Sequence, residues 1–342
     1  MISVNHRTRE DIGIHLMVGF GGTTLEEELK YLIRDFHIGG VVIFKRNVAS
    51  REQLQSLLID AQKYAQERLG RRLWVAIDQE GGSVQRLPPP FTQLPSARDL
   101  AALGPAAISE WAARAAAELR EIGININLAP VLDVVPEGKS HFMAGRSLGS
   151  DPQEVARLGE IWIKTLQEHG ISATGKHYPG LGRAASDPHH YAPVISWERD
   201  EAIAEDLLPF RRAIQAGVHC IMTSHALYPA LDTVWPATLS PAINHEWLRK
   251  RLGFEGILFS DDMDMAAVSE RYTFEEMARQ GLHAAVDFFL LCQHTRNIEP
   301  LALALAEAIA HEQASAEHHQ RSLLRIDRLG ALRRKTMGIA GK

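Results

Sequence analysis

GILFSDD (residues 256–262) runs through three large apolar residues and then turns abruptly polar. LWVAID (73–78), INLAPVLDV (126–134), ISATGKH (171–177) and VHCIMTSH (218–225) repeat that change. With IHLMVGF (14–20), GVVIF (40–44) and VDFFLLC (286–292) they make eight candidate strands, rich in branched and aromatic residues and apolar on both faces. Such runs suit a parallel sheet covered on both sides.

Longer stretches between them are helical in period. TLEEELKYLIRDF, REQLQSLLIDAQKYAQERL, ISEWAARAAAELREIG and PQEVARLGEIWIKTLQEHG space their apolar residues by three and four. DPQEVAR (151–157) carries an Asp, a Pro and a Glu where a helix starts, and Gly123, Gly170, Gly217 and Gly253 stand where helices should stop. Strand and helix alternating in one unbroken series predict an α/β fold, a closed (β/α)8 TIM-type barrel. An open doubly wound sheet is the alternative. No linker or shift of composition marks a second domain, so residues 1–342 read as a single domain with closing C-terminal helices at about 296–336. The last of these is basic and amphipathic, and is expected to pack on the barrel rather than lie on a membrane.

In such barrels chemistry gathers at the C-terminal ends of the strands. Those ends carry Asp78 and Glu80, Asp133, Lys176 and His177, Ser224 and His225, and Asp261 and Asp262. Burying so many ionisable groups in a core would be costly, so they point to an active site on one rim. Each piece also has a plain structural explanation: IDQEGG as a glycine-permitted turn, FSDDMDM as a helix cap. KHYPGLGRAASDPHHYAP is a long loop without an apolar pattern, and such loops are often functional.

The balance of 45% hydrophobic and 23% charged residues is that of a globular protein, and the net charge of −5 with no basic tract argues against nucleic acid. The polar N-terminus MISVNHRTREDIG lacks the apolar core of a signal peptide, and no apolar run approaches the ~20 residues that span a bilayer. The two cysteines, Cys220 and Cys292, sit in apolar strands and read as buried free thiols. Together these predict a cytoplasmic protein without membrane contact. Sixteen histidines raise the question of a metal-dependent hydrolase, but strand one holds no HxH pair and there is no HExxH or Cys–His cluster, so no metal and no cofactor are expected.

At IDQEGG, KHYPGLG…DPH and FSDDMDM the chain resembles the family 3 glycoside hydrolases, and most closely their bacterial β-N-acetylglucosaminidases, which work in peptidoglycan recycling. GGVVIFKRN (39–47), NLAPVLDV (127–134), GRSLGSDP (145–152) and MTSHALYP (222–229) extend the resemblance in order over roughly residues 15–295. The resemblance implies Asp261 as a nucleophile, His189 as general acid/base and Asp187 as its partner. It implies Asp78, Arg86, Arg146, Lys176 and His177 as ligands of the terminal sugar, and an N-acetylglucosamine-containing oligosaccharide or muropeptide as substrate. Leu181, Ser83, Pro188 and Ala285 depart from the family pattern, the last replacing a glycine before strand eight.

The chemistry suits these residue types. Cleaving a glycosidic bond passes through an oxocarbenium-like state, which needs an anion beneath the anomeric carbon and a proton for the leaving oxygen. An imidazole with an unperturbed pKa of ~6.5 can both give and take that proton near neutral pH, and an aspartate can orient it. Gly182 and the small residues Ala184, Ala185 and Ser186 predict that the dyad's loop moves. A β-glucosidase, a phosphorylase on the same barrel and a non-catalytic sugar-binding barrel are the competing expectations.

Overall fold

The computed structural model describes residues 12–137, 141–184, 192–197 and 200–336. Its strands are β1 (Leu16–Val18), β2 (Gly40–Ile43), β3 (Trp74–Ile77), β4 (Gln79–Gly81), β5 (Val84–Gln85), β6 (Ile126–Asn127), β7 (Ser172–Tyr178), β8 (Cys220–Thr223), β9 (Ile257–Asp262) and β10 (Phe288–Leu291). Eight of them close into a parallel barrel in the order β1-β10-β9-β8-β7-β6-β3-β2, and β4 and β5 form a separate antiparallel hairpin. The expected (β/α)8 barrel is what the chain forms.

Side chains alternate across this sheet, as a period of two requires. Met17, Val42, Ala76, Cys220, Met222, Phe259, Phe288 and Leu290 fill the barrel interior, where the Phe259 and Phe288 rings stack at 5.3 Å. Their neighbours Leu16, Val18, Val41, Ile43, Val75, Leu258 and Phe289 face outward into the layer of helices. Both faces are thereby buried, which is why the strands read as continuous apolar runs.

The helices are α1 (Glu27–Phe36), α2 (Arg51–Leu69), α3 (Ala97–Leu103), α4 (Pro105–Ile122), α5 (Pro152–Glu168), α6 (Asp200–Gln215), α7 (Ala266–Ser269), α8 (Phe274–His283), α9 (Ile298–His311) and α10 (Gln313–Thr336), with a π-helical segment at Ala242–Arg251. Ser50 caps α2 by accepting from Gln53 N–H, and Asp151 caps α5 from Gln153 N–H. Gly123, Gly170, Gly217 and Gly253 all take positive φ, as their places after helices predict.

Strand four is shorter than its sequence suggests. Regular pairing stops at Asn127, and beyond Pro130, which has no N–H to give, only an isolated bridge joins Val131 to Lys176. The β4–β5 hairpin was not legible beforehand, because IDQEGG carries no alternating pattern.

The lower end of the barrel is sealed by α10. Its Ile326 and Leu329 join the interior apolar cluster, while Ser322 and Arg325 donate to Asp287 at 2.6 and 2.9 Å. His15 joins the backbone oxygen of Asp287 and the ring of His319, each at 2.8 Å.

Candidate active site

Parallel strands deliver their last residues to one rim. β7 is buried along its whole length and ends in Lys176, His177 and Tyr178; Asp78 follows β3, and β9 ends in Asp261 and Asp262. A cavity of about 160 Å³ opens there, lined among others by Asp78, Arg86, Arg146, Lys176, His177 and Asp261. That is several times the ~30 Å³ share of a liquid water, so it has room for more than solvent.

One wall is a chain of alternating charge. Lys176 Nζ lies 2.7 Å from Asp78 and 2.6 Å from Glu80, Arg86 reaches Asp78 at 3.2 Å, and Arg146 holds both Glu80 oxygens at 2.7 and 2.8 Å. Burial alone would raise both carboxyl pKa values, but Lys176 with Arg86 and Arg146 outweighs it and holds both well below the usual carboxylate range. The same two carboxylates hold the Lys176 ammonium above its ordinary value against the cost of burial. Fixed charges of both signs thus face the cavity, arranged to meet hydroxyl and amide groups. Arg86 Nε is buried and has no hydrogen-bond partner among the described residues.

His177 is oriented from behind. Asp133 Oδ2 accepts its Nδ1–H at 2.7 Å, while Asp133 Oδ1 accepts the backbone N–H groups of His177 and Leu181 at 3.1 and 2.7 Å. One carboxylate therefore fixes both an imidazole and the start of the following loop. Gly182 is required there, since a Cβ would lie 2.0 Å from the Val134 carbonyl oxygen.

Asp261 is held differently. Its side chain accepts the Asp262 N–H at 2.8 Å, and among the described residues no cation lies within 4 Å of it. Burial raises its carboxyl pKa, but His225, His177, that N–H and Lys176 prevail and hold it below the ordinary value. His225 sits behind it, donating Nε2–H to the Asp262 carbonyl at 2.9 Å and joined through Nδ1 to Thr238. The neighbouring Asp262 goes the other way: burial and the charges of Asp264 and Asp261 push it up to about 7.

Residues 7–329 match the description "Glycosyl hydrolase family 3 N terminal domain". The chain belongs to glycosyl hydrolase family 3. Among the relatives of this family 3 hydrolase, a beta-hexosaminidase of Alkalilimnicola ehrlichii is 40% identical over 288 residues, 82% of this chain and 80% of that protein. A beta-hexosaminidase of Nitrosospira multiformis is 37% identical over 293 residues, covering 84% and 81%. A family 3 β-N-acetylglucosaminidase from Paenibacillus sp. superposes with a TM-score of 0.91 at 34% identity over 98% of this chain, which spans 63% of that longer one. A β-N-acetylhexosaminidase from Beutenbergia cavernae superposes with a TM-score of 0.88 at 29% identity, covering 96% of this chain and 99% of that one.

In this family 3 hydrolase the six expected residues Asp78, Arg86, Arg146, Lys176, His177 and Asp261 converge on the one cavity. His189 and Asp187, with Ala185 and Ser186 of the loop expected to move, lie outside the described residues. The sequence reading placed Glu80, Asp133 and His225 on the rim but gave them no task. Their tasks depend on partners 66, 44 and 37 positions away, which no local pattern reveals.

Proposed function

We propose that this family 3 hydrolase is a retaining exo-β-N-acetylglucosaminidase. Asp261 attacks the anomeric carbon as the acid His189 gives its proton to the departing oxygen, forming a glycosyl-aspartate. His189, steadied by Asp187, then takes a proton from water, which attacks the same carbon and releases Asp261. Asp78, Arg86, Arg146, Lys176 and His177 hold the terminal sugar. The observation that carries the reading is Asp261 itself: a carboxylate on the cavity wall, kept ionised by its surroundings yet neutralised by no direct cation among the described residues. A group meant only for stability would be paired.

What supports this substrate class is the company the chain keeps: relatives that are hexosaminidases and a structural neighbour that is a β-N-acetylglucosaminidase. A muropeptide from peptidoglycan recycling is the natural substrate we favour, acted on in the cytoplasm, where the free buried thiols Cys220 and Cys292 would remain reduced. No described helix is long and apolar enough to cross a membrane. All of the chain, residues 1–342, is assigned to the catalytic barrel.

The test is release of 4-nitrophenol from the β-N-acetylglucosaminide and the β-glucoside, with and without phosphate, with the first-formed sugar anomer followed by proton NMR. Activity on the first substrate alone, independent of phosphate and giving the β anomer, is expected. An α anomer first would remove Asp261 from the nucleophile's role, and a sugar phosphate as product would make the enzyme a phosphorylase.

A further inference from the structure

Asp206 sits on α6, 1% exposed and away from the sugar cavity, yet two side chains from one loop converge on it. Arg183 donates Nε–H to both of its oxygens at 3.1 and 3.0 Å, and the Trp197 indole N–H donates to Oδ2 at 2.7 Å. These two residues flank the segment 185–191, in which our functional reading places the acid/base pair. The chain is therefore tied to the same carboxylate where it enters that segment and where it leaves.

Each tie is reinforced. On the entry side, Gly180 packs so closely that a Cβ would lie 2.9 Å from the Asp206 Cβ, at a φ of +132 that favours glycine. Arg183 also reaches Glu205 at 2.7 Å, and the Ala184 carbonyl is bonded by His141 at 2.7 Å. On the exit side, the Trp197 ring packs against Tyr228 at 5.1 Å, and the Tyr228 hydroxyl donates back to the Gly180 carbonyl at 3.0 Å. Backbone bonds of 2.8 Å from Leu227 N–H to Pro193 and from Ile195 N–H to Leu227 fix the returning strand. Burial pushes the Asp206 carboxyl up to about 6 although Trp197 and Arg183 act against it, so it remains a carboxylate, acceptor only, at neutral pH.

We infer that Asp206 is a positioning residue for the acid step: it clamps both feet of the loop that carries the proton donor. The inference rests on the assignment of His189 as acid/base. A simple packing role would lower all activities in proportion to folded protein, whereas a misplaced acid penalises substrates by their need for a proton.

Two variants test it, Asp206→Asn and Trp197→Phe, the second keeping the ring on Tyr228 while removing the N–H should the first fail to fold. With chitobiose, whose leaving group needs protonation, kcat/KM is expected to fall about 30-fold; with the 2,4-dinitrophenyl glycoside it should fall no more than about 3-fold. Trypsin cleavage after Arg183 should quicken about 10-fold as that side chain is released. His189→Ala, run in parallel, separates the two claims. If it shows the leaving-group split while the clamp variants lose both activities equally, the clamp is wrong. If it shows no split, the acid assignment is wrong, and an unchanged cleavage rate after Arg183 then overturns the clamp as well.

Discussion

Two aspartates beside each other in the barrel, Asp287 buried at one end and Asp261 half-buried at the other, are treated in opposite ways. Asp287, at the lower end just before β10, accepts from Arg249, Arg325, Ser322 and the Leu258 N–H, so both oxygens are saturated. Asp261, at the upper end of β9, accepts from the Asp262 N–H, and among the described residues no cation lies within ion-pair distance. Both are held below the ordinary carboxyl pKa in spite of burial, Asp287 by direct contact with Arg325 and Arg249, Asp261 chiefly by the field of His225 and His177. Contact charge neutralises a carboxylate; a field from farther off keeps it ionised and leaves its lone pairs available. The lower end spends its charges on closure and the upper end keeps them for a ligand.

Exchanging each for asparagine should separate those uses most sharply. Asp261→Asn is expected to cost on the order of 10³-fold or more in kcat with little change in thermal stability. Asp287→Asn should destabilise by about 3–5 kcal/mol, since Arg249 and Arg325 are left buried without their counter-ion, while kcat per folded molecule stays within about 2-fold. The sign with pH follows. The folded pKa of Asp287 is depressed, so its contribution is present above the unfolded value of ~3.9 and is lost as pH falls through the lower folded one. The gap between urea melts of wild type and variant should therefore begin to narrow only below about pH 4 and close below the depressed folded value. Equal destabilisation by both substitutions would erase the distinction between the two ends.

How much of this was legible beforehand depended on distance along the chain. The barrel could be read because each strand declares itself locally, in runs such as GVVIF and GILFSDD, and the polar residues that end those runs mark the rim. The pairing that gives the rim its chemistry could not. Asp133 was visible as a strand end, but its hold on His177 needs the barrel closed first. Asp206 lies within EDLLPF on a helix whose apolar stripe hides it, and only the approach of Arg183 and Trp197 marks it as more than a buried acid. Strand four ends early for a reason that was in view: Pro130 breaks the ladder that the apolar run around it suggests.

Asp262 offers a second, smaller separation at the upper end. Its folded pKa of about 7 exceeds the unfolded ~3.9, so ionising it opposes folding. Its stabilising contribution is complete below about pH 4 and is lost as pH rises through 7. Asp262→Asn retains an acceptor for the Cys292 and Asp264 N–H groups, which the carboxylate now serves at 3.1 Å each. The variant should be more stable than wild type at pH 8 by about 1 kcal/mol, a figure kept low for a partly exposed side chain, and the gap should close by pH 5. A gap that widens on acidification would mean that a different group sets the local field.

The smallest effect concerns the backbone that feeds the lower end. Ala285 takes a φ of 58, in the left-handed region, at the position where the resemblance calls for glycine. Its carbonyl accepts from Arg249 at 3.2 Å, so the network around Asp287 gains by that conformation. An L-residue there pays roughly 1–2 kcal/mol, while its buried methyl returns about 0.8 and a glycine would lose chain entropy on folding. These terms nearly cancel. Ala285→Gly is accordingly expected to gain no more than about 0.5 kcal/mol, or roughly 1–2 °C in Tm, with kcat unchanged. A loss of about 1 kcal/mol or more would show that the methyl group's packing against its neighbours, and not left-handed strain, decides the energy at this turn.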